Sequence, residues 1–187
     1  MPINYFEPNN TKLSAVNDEY LWGKDLLIAP IQEKGKTNRT VLFPKGAWLN
    51  WWTSEVASDS TLVNAPLEQL PIFAKIESII PMTTILKNTE AYTGDTLVLR
   101  YFADATQKAE FTLYDDNGKD PQAIVHKQYE LINFRGIPGK TTQRVEITGG
   151  KTGKIRSIRI ELVQAGRASI FTELSYSGGK KVVVFKL

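Results

Sequence analysis

The residues from Tyr20 to Trp52, YLWGKDLLIAPIQEKGKTNRTVLFPKGAWLNWW, restrict the fold of this chain more than any other stretch. Leu26-Leu27-Ile28-Ala29-Pro30-Ile31 is apolar without alternation, the pattern of a strand covered on both faces. Pro30 has no amide proton to donate to a ladder, so the strand must end there or lie at an edge. A polar turn, Glu33-Lys34-Gly35-Lys36, leads into Thr40-Val41-Leu42-Phe43, which Pro44 closes. After a Lys45-Gly46 turn, Ala47 to Trp52 forms an aromatic strand that carries three of the four tryptophans of the chain.

The rest of the sequence also reads as strands. Ile3-Asn4-Tyr5-Phe6 predicts a short strand, followed by a turn at Pro8-Asn9-Asn10. Thr53 to Thr61 is polar and predicts a surface loop. Three prolines between Val63 and Met82 forbid a continuous helix and leave two extended segments, Leu67 to Leu70 and Pro71 to Ile80. Thr83 to Thr93 is polar and marks a boundary. Beyond it the alternation is cleaner: Leu97, Leu99 and Tyr101; Phe111 and Leu113; Val145 and Ile147; Ile158, Ile160 and Leu162 each alternate with polar or outward neighbours. Gly149-Gly150 and Gly178-Gly179 punctuate these runs, and Lys181 to Leu187 closes as a last strand. Seven or so short strands without a helix longer than a turn or two predict an all-β chain of sandwich or barrel type. At 187 residues two small domains fit.

Composition narrows the chemistry. With no cysteine, disulfides, thiolate nucleophiles and thiolate metal sites are excluded. The single histidine, His126, cannot build a multi-histidine metal site; it is read as a partly exposed strand residue, because no serine or cysteine elbow accompanies it. No apolar run approaches the roughly 20 residues that span a bilayer, and MPINYFEPNN is not a signal peptide, so no membrane partner is expected. The net charge of +3 is interspersed, and Lys140, Lys151, Lys154, Lys180 and Lys181 sit beside small turn residues, so no nucleic-acid partner is expected either.

Asp115-Asp116-Asn117-Gly118-Lys119-Asp120 places oxygens close together, but its spacing fails the calcium hand, whose twelfth position would be His126. Asn117-Gly118 instead predicts a tight hairpin. Asp115 and Asp116 point to opposite faces if they lie on a strand, so they cannot flank one glycosidic bond. Trp48, Trp51 and Trp52 are the candidate substrate-binding residues, since an exposed indole stacks on the apolar face of a sugar ring. Strand parity puts Trp48 and Trp52 on one face and Trp51 on the other. The competing expectation is that they are packing anchors. No catalytic residue, metal ligand or cofactor site is read from the chain.

Four pieces then point to one family. Tyr20 to Ile31; Val41-Leu42-Phe43-Pro44-Lys45-Gly46-Ala47-Trp48 through Trp51-Trp52; Ala65-Pro66-Leu67-Glu68; and Leu70-Pro71-Ile72-Phe73 with Ile79-Ile80-Pro81 closely resemble the region after the catalytic barrel of glycoside hydrolase family 31, which contains α-glucosidases and α-xylosidases. Phe111-Thr112-Leu113-Tyr114 running into Asp115-Asp116-Asn117-Gly118 resembles the distal sandwich of that family, here with an inserted Asn117.

The resemblance implies two β-sandwich domains without the catalytic barrel: residues 1–17 as a remnant of the last barrel strand and linker, 18–83 as the proximal sandwich, 84–93 as a linker, and 94–187 as the distal sandwich. It also implies a retaining parent enzyme whose nucleophile and acid/base are aspartates of the barrel. The chain is therefore expected to be inactive alone and to support its own catalytic barrel structurally. Isolated, it should expose an apolar patch. The alternatives are a module that binds oligo- or polysaccharide through exposed tryptophans or the Asp115 hairpin, and a free-standing β protein.

Overall fold

The computed structural model describes residues 1–151 and 156–187; Lys154, read above as a turn lysine, lies outside them. Strands dominate, and the described residues form two compact units: Met1–Ile76 with Gln164–Arg167, and Glu77–Val163 with Ala168–Leu187.

The first unit contains a one-turn helix, α1 (Thr11–Ser14), and seven strands: β1 (Tyr20–Trp22), β2 (Leu26–Ile28), β3 (Asn38–Leu42), β4 (Trp48–Asn50), β5 (Val56–Ala57), β6 (Ser60–Asn64) and β7 (Ile72–Lys75). Five of them form a sheet in the order β1-β2-β7-β4-β5, and β3 pairs with β6. Each strand of that sheet is antiparallel to its neighbours, so directly paired residues share a face. On one face Leu21 pairs with Leu27 and Leu27 with Phe73, while Trp48 pairs with Ala57. These side chains join Val41 and Val63 from β3 and β6 in a single core.

The opposite face is apolar as well. Trp22 pairs with Leu26, Leu26 with Ala74, Ala74 with Leu49, and Leu49 with Val56, one row across all five strands. In the next row Tyr20 pairs with Ile28, and Ile28 with Ile72. Ile28, Leu49 and Ala74 are buried, which explains the unbroken apolar run at Leu26-Leu27-Ile28. The ladder ends at Ile28, two residues before Pro30, as the missing amide proton requires.

The second unit contains β8 (Ser78–Met82), a 3-10 turn (Thr89–Ala91), β9 (Thr96–Phe102), β10 (Ala109–Asp116), β11 (Tyr129–Ile137), β12 (Thr142–Gly149), β13 (Arg156–Val163), β14 (Ile170–Tyr176) and β15 (Gly179–Lys186). They form two four-stranded sheets, β10-β11-β12-β15 and β14-β13-β9-β8, in which β9 and β13 run parallel. Leu97, Leu99 and Tyr101, Val145 and Ile147, and Ile158, Ile160 and Leu162 all enter one core, as their alternation requires. Tyr101 donates through its hydroxyl to Gln143 Oε1 at 3.1 Å, and Gln143 Nε2 donates to the Asp104 carbonyl at 2.9 Å. Burial pushes the Tyr101 phenol up to about 12. Its ring lies over Gly136, where an added Cβ would stand 2.5 Å from the ring; only glycine fits beneath it.

Several expectations change. Residues 3–6 form turns, not a strand, and Thr11–Ser14 is helical because Asn10 caps it, accepting from the Leu13 amide. The loop expected over Thr53–Thr61 contains β5 and the start of β6, joined by a turn in which Asp59 adopts φ +51°. Leu67 to Leu70 is not extended: Gln69 N–H closes a turn onto the Pro66 carbonyl at 2.9 Å. Pro71 to Ile80 is two strands, not one, because Glu77 at φ +71° reverses the chain between β7 and β8. β8 pairs with β9, which places Ser78–Met82 with the second unit although the sequence boundaries group it with the first. A strand can change partners in this way because its hydrogen-bonding edge carries no sequence label.

Candidate functional sites

The three tryptophans are not equivalent. β4 ends at Asn50, whose Oδ1 accepts from the amides of Trp52 at 2.8 Å and Thr53 at 3.2 Å, so the chain turns and strand parity does not extend to Trp52. Trp48 is 1% exposed and its indole N–H donates to the Pro44 carbonyl at 3.1 Å. A ring so enclosed offers no face to a sugar, which removes Trp48 from the substrate-binding set and makes it a packing anchor. Trp51 is half-buried, its amide donating to the Ile72 carbonyl at 2.9 Å. Trp52 is 48% exposed, with its indole N–H donating to the Leu70 carbonyl at 2.8 Å. Of these three, Trp51 and Trp52 therefore remain where a ligand could meet an indole.

Close to the start of β3, Arg39 gathers the groups around Glu19. It donates to Glu19 Oε1 at 2.8 Å and to the Pro30 carbonyl at 2.6 Å, while the Leu42 amide donates to both Glu19 oxygens at 3.2 Å. Burial pushes the Glu19 carboxyl above its ordinary value of 4.5; the Leu42 amide and Arg39 pull it back without cancelling the burial. A carboxyl raised in the folded state contributes stability that is complete below its unfolded value and is lost as pH rises through the folded one. Glu19→Gln removes that titration. The stability of the parent chain relative to Glu19→Gln, from urea unfolding at a series of pH values, is expected to fall as pH rises above 4.5. A difference that grows with pH would contradict the assignment.

In the second unit Arg156 is 2% exposed and ion-paired with both Asp115 and Glu130; its Nε donates to the Gly94 carbonyl at 2.9 Å. Burial alone would lower the guanidinium, but hydrogen bonds and charge from Glu130 and Asp115 raise it and keep it charged. Glu130 Oε2 also accepts from the Lys151 amide at 2.7 Å. The sequence reading missed this cluster. A usable signal was parity: Asp115 continues the register of Phe111 and Leu113, Glu130 that of Ile132 and Phe134, and Arg156 that of Ile158 and Ile160. Three inward positions on three strands carry charge, and the one guanidinium is shared between the two carboxylates.

Asp116 points the other way, as its adjacency to Asp115 requires. The Tyr114 hydroxyl donates to Asp116 Oδ2 at 2.7 Å, which pushes that phenol up to about 12, and Asp116 Oδ1 accepts from the Gly118 amide. The expected tight hairpin is replaced by a longer connection: β10 does pair with β11, but Asp116 faces Tyr129 across a loop of residues 117–128. Only Gly118 of the Asn117-Gly118 pair has positive φ, so the two-residue turn, which needs both, does not form. Asn117 Oδ1 instead accepts from the amides of Lys119 and Asp120. His126 lies in this loop and not in a strand; its Nδ1 is 2.7 Å from Asp120 Oδ2. Among the described residues no three His, Cys, Asp or Glu side chains converge as metal ligands.

Comparison with known proteins adds the following. Residues 1–80 match the family model described as the glycosyl hydrolase family 31 C-terminal domain. The chain is 38% identical over 120 residues to alpha-glucosidase 2 of Bacillus thermoamyloliquefaciens, which covers 63% of this chain and 15% of that protein. It is 27% identical to the isomaltosyltransferase of Sporosarcina globispora across 94% of this chain and 16% of that one. Among solved structures, the family 31 alpha-xylosidase of Xanthomonas citri superposes with a TM-score of 0.81 at 25% identity, over 97% of this chain and 21% of that one. The family 31 dextranase of Flavobacterium johnsoniae, complexed with glucose, shares the fold with a TM-score of 0.81 at 18% identity, over all of this chain and 29% of that one. The chain thus spans under a third of each of these proteins.

Proposed function

We infer the role of this chain from the family to which it belongs, glycoside hydrolase family 31, as a C-terminal region of an enzyme of the glucosidase, xylosidase or glycosyltransferase type. Within such an enzyme its role is structural: it supports the catalytic barrel of the parent and carries none of the reacting groups. The observation that carries this reading is the five-stranded sheet, apolar on both faces. One face fills the core of its own unit; on the other, the row Trp22-Leu26-Ala74-Leu49-Val56 is already buried at its centre, at Leu49 and Ala74, and open at its two ends. Trp22, at one end of that row, is 71% exposed. Large apolar side chains left open at the sheet edges, Trp22 with Tyr20 at one and Val56 at the other, are what contacts with the rest of the parent enzyme would cover.

Incubated with nitrophenyl α-glucoside or α-xyloside, the purified chain is expected to release no nitrophenol. Saturable release would overturn the reading. Sedimentation of the chain should show self-association that Trp22→Asp reduces, because the substitution charges the open end of the row.

A further inference from the structure

The outer face of the sheet that contains β10 and β11 bears two tyrosines outside the core of the second unit. Tyr114 and Tyr129, on adjacent strands, stack with ring centroids 5.3 Å apart and planes 22° from parallel. Tyr114 is 41% exposed, and Leu131, its direct partner across the ladder, is also exposed. The hydroxyl bond to Asp116 fixes the Tyr114 ring, so a ligand meeting it has little side-chain entropy to remove. On the same face Thr112 Oγ1 donates to Asn133 Oδ1 at 2.8 Å, which places a hydroxyl and an amide one step along the sheet.

Asp116 also lines a cleft of about 290 Å³ together with Asp115, Asn117, Gln128, Glu130 and Lys151. An ordered aromatic pair therefore adjoins a cleft of planar carboxylate and amide groups through a shared residue. The chemistry selects among ligands. Asp115, Asp116 and Glu130 against Arg156 and Lys151 leave the cleft with a small negative excess, which disfavours phosphates and nucleic acid, while the two cations oppose a divalent metal. A neutral polyhydroxylated ring satisfies both parts: its C–H face stacks on a tyrosine, and its hydroxyls donate to the carboxylates and amides.

We propose that Tyr114, Tyr129 and Asp116, with the cleft beside them, form a surface site for a neutral oligosaccharide. The site is independent of the packing role of the first unit, and either assignment stands if the other fails.

The test is NMR titration of the 187-residue chain with maltotriose and with isomaltotriose, following the tyrosine ring resonances. Saturable shifts at Tyr114 and Tyr129 with at least one sugar are expected. Tyr114→Ala or Tyr129→Ala should weaken binding at least tenfold, whereas Tyr114→Phe, which keeps the ring, should retain most of it. Trp52→Ala should change nothing. Absence of saturable shifts with either sugar, equal binding by the alanine variants, or loss of binding in Trp52→Ala would each overturn the proposal.

Discussion

Arg156→Met is expected to destabilise the second unit by about 3–5 kcal/mol, the usual cost of removing one partner from a buried ion cluster. Methionine fills the volume of the aliphatic stem, so the loss comes from charge. Asp115 and Glu130 would face each other with their shared cation gone, and the Gly94 carbonyl would lose the Nε donor. A control separates burial from pairing as such. Lys180 and Glu146 form an exposed bridge at 2.9 Å, and Lys180→Met should cost no more than about 1 kcal/mol. Urea unfolding followed by circular dichroism compares the two. The tryptophans all lie in the first unit, so their fluorescence is not the appropriate probe. Equal midpoints for the two variants would show that Arg156 is not the centre of the cluster.

Trp48→Ala is the second large effect, again about 3–5 kcal/mol, because it opens a cavity in the first core and removes a satisfied indole donor. Phe43, whose ring centroid lies 6.3 Å from that of Trp48 and 4.8 Å from that of Phe73, would lose one of its two aromatic neighbours. Trp52→Ala should cost about 1 kcal/mol or less, since that ring is half open and contributes mainly one hydrogen bond to the Leu70 carbonyl. Tryptophan fluorescence in urea distinguishes them. Similar midpoints for both variants would mean that the two rings share one environment.

The contrast between these two residues shows where reading the sequence succeeds and where it stops. Both sit in one aromatic run, and nothing in the residue types separates an anchor from an open ring. The separation comes from Asn50, whose side chain captures two amides and turns the chain before Trp52. The same holds at Asn117-Gly118, where hairpin chemistry was legible but Asn117 spent its oxygen on Lys119 and Asp120, giving a longer loop. Local competition between side-chain and backbone hydrogen bonds is decided by what lies nearby in space.

By itself the sequence determined the all-β class, the inward residues of β9, β12 and β13, the positive φ of the paired glycines, the family resemblance and the absence of thiol chemistry. Each of these follows from side-chain period, from φ requirements or from residue identity, all of which are local. Only the tertiary structure decided that β8 joins the second unit, that β9 and β13 run parallel, that Arg156 is shared between Asp115 and Glu130, and that Tyr114 stacks on Tyr129. These depend on which strand edges meet. Backbone donors and acceptors are the same at every residue but proline, so the choice of partner is made by the packing of the whole sheet and is not written in any one strand.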